Sequence, residues 1–249
     1  MDLSARSLPA NEDILVTSRS FAEYVAFFGL DSEDLPTRVL DCSAGASSFV
    51  AEAHARGIDA VAADPAYAHS DEALTNRTSS GTTGGSQLID ANSDRFTYDW
   101  YETAQRRAEM RRTALATFQE HRRAYPARYV AAALPGLPLE GKSFDLALCS
   151  HLLFTWATHL DELWHLAALV ELCRVAEEVR VFPLVLQGTG QPVEFLPSLR
   201  ARLHNRFEIT TEIVPVPYEF QVGAHHMLKL RRHMERSARP SCPPGAPLD

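Results

Sequence analysis

Asp41 and Asp64 stand 23 positions apart, each closing a short apolar run, with the small-residue stretch CSAGASS just after the first. The arrangement suits an adenosine-bearing ligand: small residues let the backbone come close, and a carboxylate ending the second run can accept from both ribose hydroxyls. Read as a dinucleotide fingerprint, the three glycine places fall on Ser43, Gly45 and Ser48, so one glycine remains and a pyrophosphate cradle is disfavoured. Asp41 adds like-charge repulsion against a pyrophosphate and instead suits an amine or a sulfonium.

His151 follows a later apolar run, where open α/β sheets place their sites, and is a candidate general base or substrate contact. Its alternative is a structural histidine under a loop. Ring faces attract cations, so Tyr24, Phe28, Phe154, Trp156, Tyr218 and Phe220 are candidate walls for a sulfonium, with core packing as the alternative for each. Tyr218 stands out because 215–223 carries prolines and a glycine and reads as a loop, where a buried core aromatic is not expected. His159 and His165 read as structural, His225 and His226 as exposed, and none of the ten histidines has metal-ligand spacing with Cys or a carboxylate.

The elements that must hold these residues read as alternating helices and strands. Ser20 to Leu30 is a helix stopped by Gly29. Thr37 to Asp41 is a strand, followed by the small turn, a helix to about Arg56, and a strand from Asp59 to Ala63, which together make a βαβ unit with parallel strands. The stretch 78–86 is entirely Gly, Ser and Thr and reads as a mobile lid or loop. Tyr98 to Tyr125 reads as a long Arg-rich helix with Tyr101, Ala104, Ala108, Leu115 and Phe118 inward; its arginines, interleaved with Glu102, Glu109 and Glu120, read as a solvated face rather than a nucleic-acid surface. Strands follow at Arg128 to Leu134, Phe144 to Cys149 and Val179 to Leu186, with helices at Leu160 to Val175 and Val193 to Asn205. The last strands are Phe207 to Val216 and His226 to Arg231.

The chain has 249 residues, 45% of them hydrophobic, and a formal charge of −8 from 24 basic and 32 acidic residues. A domain of this size buries about 70 to 75% of its unfolded surface and needs no disulfide or metal staple. The acidic balance argues against a nucleic-acid or membrane-surface role and leaves small-molecule or protein partners. Four scattered cysteines and the lack of a signal-like or membrane-length apolar segment predict a cytoplasmic protein.

In VLDCSAGASSF (Val39 to Phe49), the pair Asp64-Pro65, and LPGLPLEGKSFDLALCSHLLF (Leu134 to Phe154), the sequence resembles the class I S-adenosylmethionine-dependent methyltransferases. The resemblance runs from about Thr37 to Leu230. More narrowly, SFDLALCSHLLF and PVPYEFQ look like a subgroup of small bacterial methyltransferase-like proteins. It implies a doubly wound, mostly parallel seven-stranded Rossmann-like sheet with an antiparallel edge strand, spanning 37–231. An N-terminal helical cap at 1–36, an insertion or lid at 66–127 and a disordered tail at 232–249 would complete the chain. Asp41, Ser43, Ala44 and Gly45 would surround the methionine part of S-adenosylmethionine; Asp64, with Pro65, would hold the ribose. Ala133 and Leu134 would lie beside the adenine, Ser150 would face the methionine amine or the transferring group, and Tyr24 would wall the pocket. Ser43 and Ser47 replace the usual glycines, and Ala133 stands where an acid often binds the adenine amine. The leading expectation is methyl transfer to a small-molecule acceptor, with His151 and Tyr218 as catalytic candidates. The alternatives are attack of the cofactor's own amine on its side chain, releasing methylthioadenosine, and a non-catalytic binding module. The oligomeric state is left open.

Overall fold

The computed structural model describes residues 14–31 and 35–232. The tail expected at 232–249 lies outside the described residues from 233 on, as do 1–13 and 32–34 of the expected N-terminal segment.

Seven strands form one sheet: β1 (Arg38–Cys42), β2 (Asp59–Ala63), β3 (Tyr129–Val130), β4 (Phe144–Ser150), β5 (Ala176–Phe182), β6 (Ile209–Pro215) and β7 (His226–Arg232). Their order is β3-β2-β1-β4-β5-β7-β6. Strands β1 to β5 pair in parallel, and the antiparallel pairing falls at one edge, where β7 enters between β5 and the outermost β6. This is the doubly wound, mostly parallel sheet with an antiparallel edge that the resemblance implies, and its β1-α2-β2 unit is parallel as the alternation predicts. Six helices accompany it: α1 (Phe21–Phe28), α2 (Phe49–Ala55), α3 (Asp71–Ala91), α4 (Ala104–Ala124), α5 (Glu162–Val175) and α6 (Leu196–Phe207).

The period of two along each strand divides the core. Val39, Leu146 and Leu148 join the cluster built on α1 and α2, whereas Leu40, Ala147 and Cys149 join the one built on α5 and α6. Covered on both faces, the central strands need apolar residues at nearly every position, which is why they read as uninterrupted runs. The chain winds outward from β1 through β2 to β3, then returns to β4 beside β1 and winds the other way. A crevice therefore opens beyond the carboxyl ends of β1 and β4. Asp41 and Ser150 lie at those ends.

Several sequence expectations are corrected. The stretch 78–86 lies inside the 21-residue helix α3 and is no loop. Ser70 caps that helix, and the hydroxyls of Thr75, Thr78, Ser79, Thr82, Thr83 and Ser86 each donate to the carbonyl four residues back. Such back-bonding keeps short polar side chains on the helix. Its buried positions, Leu74, Thr78, Gly81 and Ile89, share one face. Helix α4 starts at Ala104, capped by Thr103, so Tyr101 is buried in the preceding turn and not on the helix. Ala104 and Ala108 are exposed; Arg111, Ala114 and Phe118 face inward, so the arginines are not all solvated. Strand β3 is two residues long instead of seven, and β5 ends at Phe182, before Pro183, three residues earlier at its start than the apolar run suggests.

Candidate active site

Two cavities share a wall in the crevice. The first is lined by the turn Ser43, Ala44 and Gly45, by Asp64 and Pro65, by Ala133 and Leu134, and by Ser150 and His151. Nine of the predicted site residues thus meet around one space, although they come from four separate parts of the chain. The second is lined by Tyr218, Phe220, Phe182 and Trp156, with Arg107 and Arg111 from α4. Leu15, Thr17, Arg19 and His151 belong to both walls.

The turn after β1 keeps the backbone form of a glycine turn despite its serines. Ser43 adopts a left-handed conformation at φ 60°, as does Gly45 at φ 57°. For a non-glycine residue this costs about 1 to 2 kcal/mol, which the Ser43 N–H offsets in part by donating to Ala63 O at 2.7 Å. Gly45 has a stricter requirement: a Cβ there would stand 2.9 Å from Thr17 O. That oxygen belongs to a strap, residues 14–19, which crosses the turn and is fixed by Ala46 N–H donating to Thr17 O and Ser48 N–H to Arg19 O. On its other side the strap presses on Gly81 of α3. The strap is therefore held between two glycines.

Asp64 is buried and locks the turn. Its Oδ2 accepts from Gly45 N–H at 2.9 Å and its Oδ1 from Ala66 N–H at 2.8 Å. Burial raises its pKa, opposed by these two bonds and by Arg77, which also lines the first cavity. One acceptor site on each oxygen is thus already committed to the backbone, leaving the remaining lone pairs for a ligand. Because hydrogen bonds to a charged acceptor are worth about 1.5 to 3 kcal/mol each, Asp64→Ala is expected to lower stability by about 3 kcal/mol, and Asp64→Asn by about half as much. Chemical denaturation checks this; equal midpoints for Asp64→Ala and the unaltered chain would remove Asp64 from this role.

Asp41 and Tyr24 do not line either cavity. Asp41 lies one layer behind the turn with no exposed surface. Tyr24, on α1, donates from its hydroxyl to Asp41 Oδ1 at 2.9 Å, while Asp41 Oδ2 is buried with no hydrogen-bond partner. Burial, with the charge of Asp64 adding to it, pushes the Asp41 carboxyl up to about 8, against the lowering effect of the Tyr24 bond. Tyr24 is thus a support for Asp41 rather than a wall.

His151 sits just past β4 in a left-handed conformation, φ 57°, with its N–H donating to Phe182 O at 2.7 Å. Positive φ is uncommon outside glycine, though histidine adopts it more readily than most residues, and such positions cluster at functional sites. Its ring packs against Phe27 and Phe182, and Nδ1 lies 3.2 Å from Ser150 Oγ, which leaves Nε2 as the nitrogen available to a ligand. Burial, then Arg19 and Arg107, lower its pKa well below that of a free imidazole, so it is neutral at pH 7.

Tyr218 lies in the loop between β6 and β7, as read, but is buried there; it faces the second cavity, and its hydroxyl meets that of Tyr101 at 2.9 Å. Tyr101 in turn donates to Glu23, a carboxylate with no exposed surface that also accepts from Arg111 Nε at 2.9 Å. Phe28 and Phe154 are core residues; Trp156 and Phe220 line the second cavity. His165 is buried, with Nδ1 at 2.9 Å from Asp161 O. No group of His, Cys, Asp and Glu among the described residues is arranged to hold a metal. No helix among them is long and apolar enough to cross a membrane.

Sequence reasoning missed Arg19, Arg77, Arg107 and Arg111. For two of them a signal existed: positions 107, 111, 114 and 118 are spaced as one helix face, so Arg107 and Arg111 fall on the stripe of Ala114 and Phe118.

No protein-family model matches the chain. It is 27% identical over 222 residues to the uncharacterized protein MJ0045 of Methanocaldococcus jannaschii, covering 89% of this chain and 97% of that one. Among solved structures, it is similar to magnesium protoporphyrin IX methyltransferase (ChlM) of Synechocystis PCC 6803 with bound SAM, at 14% identity and TM-score 0.44, over 86% of this chain and 78% of that one. It is also similar to a SAM dependent methyltransferase from Aquifex aeolicus, at 15% identity and TM-score 0.40, over 84% and 90%.

Proposed function

We propose that this chain transfers a methyl group from S-adenosylmethionine to a small-molecule acceptor. The observation that carries the reading is that His151 stands in the wall of two adjoining cavities at the point where the strand order reverses. The first cavity offers the cofactor a left-handed small turn and the Asp64 carboxylate, with the Asp41 carboxyl one layer behind the turn and outside the cavity wall. A buried carboxyl lacking a partner favours a ligand that brings positive charge, and the ammonium and sulfonium of S-adenosylmethionine do so.

When bound, this cofactor supplies a carbon already activated for displacement by its sulfonium. The chain's own task is then to position the acceptor and exclude water. On this reading Ser43, Ala44 and Gly45 offer backbone to the methionine part, and Asp64, with Pro65, takes the ribose hydroxyls with its remaining lone pairs. Ala133 and Leu134 flank the adenine, and Ser150 faces the methionine end. His151 Nε2 takes the proton of an acceptor hydroxyl or amine, while Tyr218 contacts the acceptor. A separate second cavity favours an added acceptor over cleavage of the cofactor by its own amine.

Calorimetry with S-adenosylmethionine and S-adenosylhomocysteine tests the reading. Near pH 7 an Asp41 of pKa about 8 is roughly 90% protonated. An approaching ammonium favours its charged form, so binding is expected to release close to one proton, measured by repeating the titration in buffers of different ionisation enthalpy. At pH 9 the release should vanish. Absence of heat and of thermal stabilisation at millimolar ligand would overturn the proposal. Formation of methylthioadenosine from cofactor alone would replace it by the self-cleaving reaction.

A further inference from the structure

We infer that the second cavity is a site for a planar aromatic carboxylate, and that this is the acceptor class. The inference rests on the methyl-transfer reading only for the word acceptor; the site itself stands on the charge and shape of the cavity.

Three arginines, Arg19, Arg107 and Arg111, line this space, and no Asp or Glu does. The nearest acid, Glu23, lies behind the wall and is already engaged. It is bonded by Arg111 through Nε at 2.9 Å and Nη2 at 2.8 Å, and by the Tyr101 hydroxyl and the Ser20 N–H. Arg19 stands 3.9 Å from the same carboxylate, at the limit of an ion pair. One negative charge thus faces three positive ones. The Nε atoms of both Arg19 and Arg107 are buried without any hydrogen-bond acceptor. A buried cation with an unpaired donor is costly, and an anion in the cavity lined by these residues offsets that cost through its charge.

The geometry narrows the anion. The Arg107 guanidinium sits over the Phe220 ring, its Cζ 4.5 Å from the ring centroid. A guanidinium fork pairs bidentately with a carboxylate or a phosphate, and the aromatic residues beside it favour a flat ligand, which together point to a carboxylate carried on a ring. Part of the remaining wall is aromatic: Tyr218, Phe182 and Trp156 line the space beside aliphatic and small polar residues, and the Tyr218 ring stands edge-on to Phe182 at 5.7 Å between centroids. Rings of this kind bury the flat faces of another ring, at about 0.5 to 1.5 kcal/mol per pair beyond area alone. His151, like Arg19, lies in the wall shared with the first cavity, so a ligand in the second cavity lies next to it.

The test titrates benzoate, 4-hydroxybenzoate, anthranilate and 2-naphthoate, each beside its primary amide, and phenyl phosphate, into the full chain with and without S-adenosylhomocysteine. At least one carboxylate is expected to bind tenfold or more tightly than its amide. Arg107→Gln should erase that preference while leaving the amide's affinity in place, and Arg107→Lys should restore part of it. Arg19→Gln gives a second reading should Arg107→Gln fail to fold, with thermal unfolding as the check. Equal binding of every carboxylate and its amide, a preference for phenyl phosphate, or an unchanged preference in both glutamine variants would overturn the assignment. Failure of S-adenosylhomocysteine to bind would instead sink the cofactor reading, while the carboxylate preference, read in its absence, would still be decided.

Discussion

Asp41→Asn is expected to make the protein more stable above pH 8 and at the same time to remove most of its affinity for a cationic ligand. The two effects have one cause. The carboxyl at the end of β1 has no exposed surface, one bond from Tyr24, and one oxygen with no partner, so its charged form is disfavoured and its pKa stands at about 8. An unfolded aspartate releases its proton near pH 4. The folded state therefore retains a proton that the unfolded state has lost. The stability tied to this group is full below about pH 4, falls as pH rises, and levels off above about pH 8. A shift of some four pH units sets an upper bound of about 5 kcal/mol on that loss. Asparagine is uncharged at every pH and keeps an oxygen for Tyr24, but brings an amide whose missing partner costs about 1 to 3 kcal/mol. A net gain of about 2 kcal/mol at pH 9, shrinking or reversing at pH 5, is the expected result of denaturation at the two values. Ligand affinity should fall tenfold or more, with no proton released on residual binding. A variant that is less stable at both pH values, or that still releases the proton, would show that Asp41 does not hold it.

Gly81→Ala and Gly85→Ala, four residues apart on α3, are expected to act in opposite directions. In an exposed helix interior alanine gains about 1 kcal/mol over glycine. At Gly85 nothing lies within 4 Å of the added carbon, so that gain should appear. At Gly81 the new Cβ would stand 2.1 Å from Val16 O, and neither partner is a side chain that can swing aside. Strap or helix must shift, at a cost of about 1 to 3 kcal/mol typical of overpacking, which outweighs the propensity gain. Since the strap lines both cavities, Gly81→Ala should also weaken ligand binding at least tenfold. The comparison needs only unfolding midpoints and one titration for each variant; a stabilised Gly81→Ala variant with normal binding would refute the close contact.

The sheet was the most legible part of the fold. Strands buried on both faces leave long apolar runs, and the acids at their ends, Asp41 and Asp64, marked the crevice. Helix α3 was hidden because composition was read without period: its glycines, serines and threonines look like a linker until Leu74, Thr78, Gly81 and Ile89 are seen to share a face. The second cavity was hidden for a different reason. Arg107 and Arg111 have the same composition as their solvated neighbours on α4, and only their register with Phe118 turns them inward. Arg19 and the strap gave no local signal at all, since their place depends on contacts with Gly45 and Gly81, distant in sequence.

The strap also ties the two cavities thermodynamically. Leu15, Thr17 and Arg19 face both, so a ligand that displaces this segment from one side alters the wall that a ligand meets on the other. Such a coupling is reciprocal: the factor by which the first ligand tightens the second equals the factor by which the second tightens the first. The order of arrival changes the rates, and leaves that shared free energy the same.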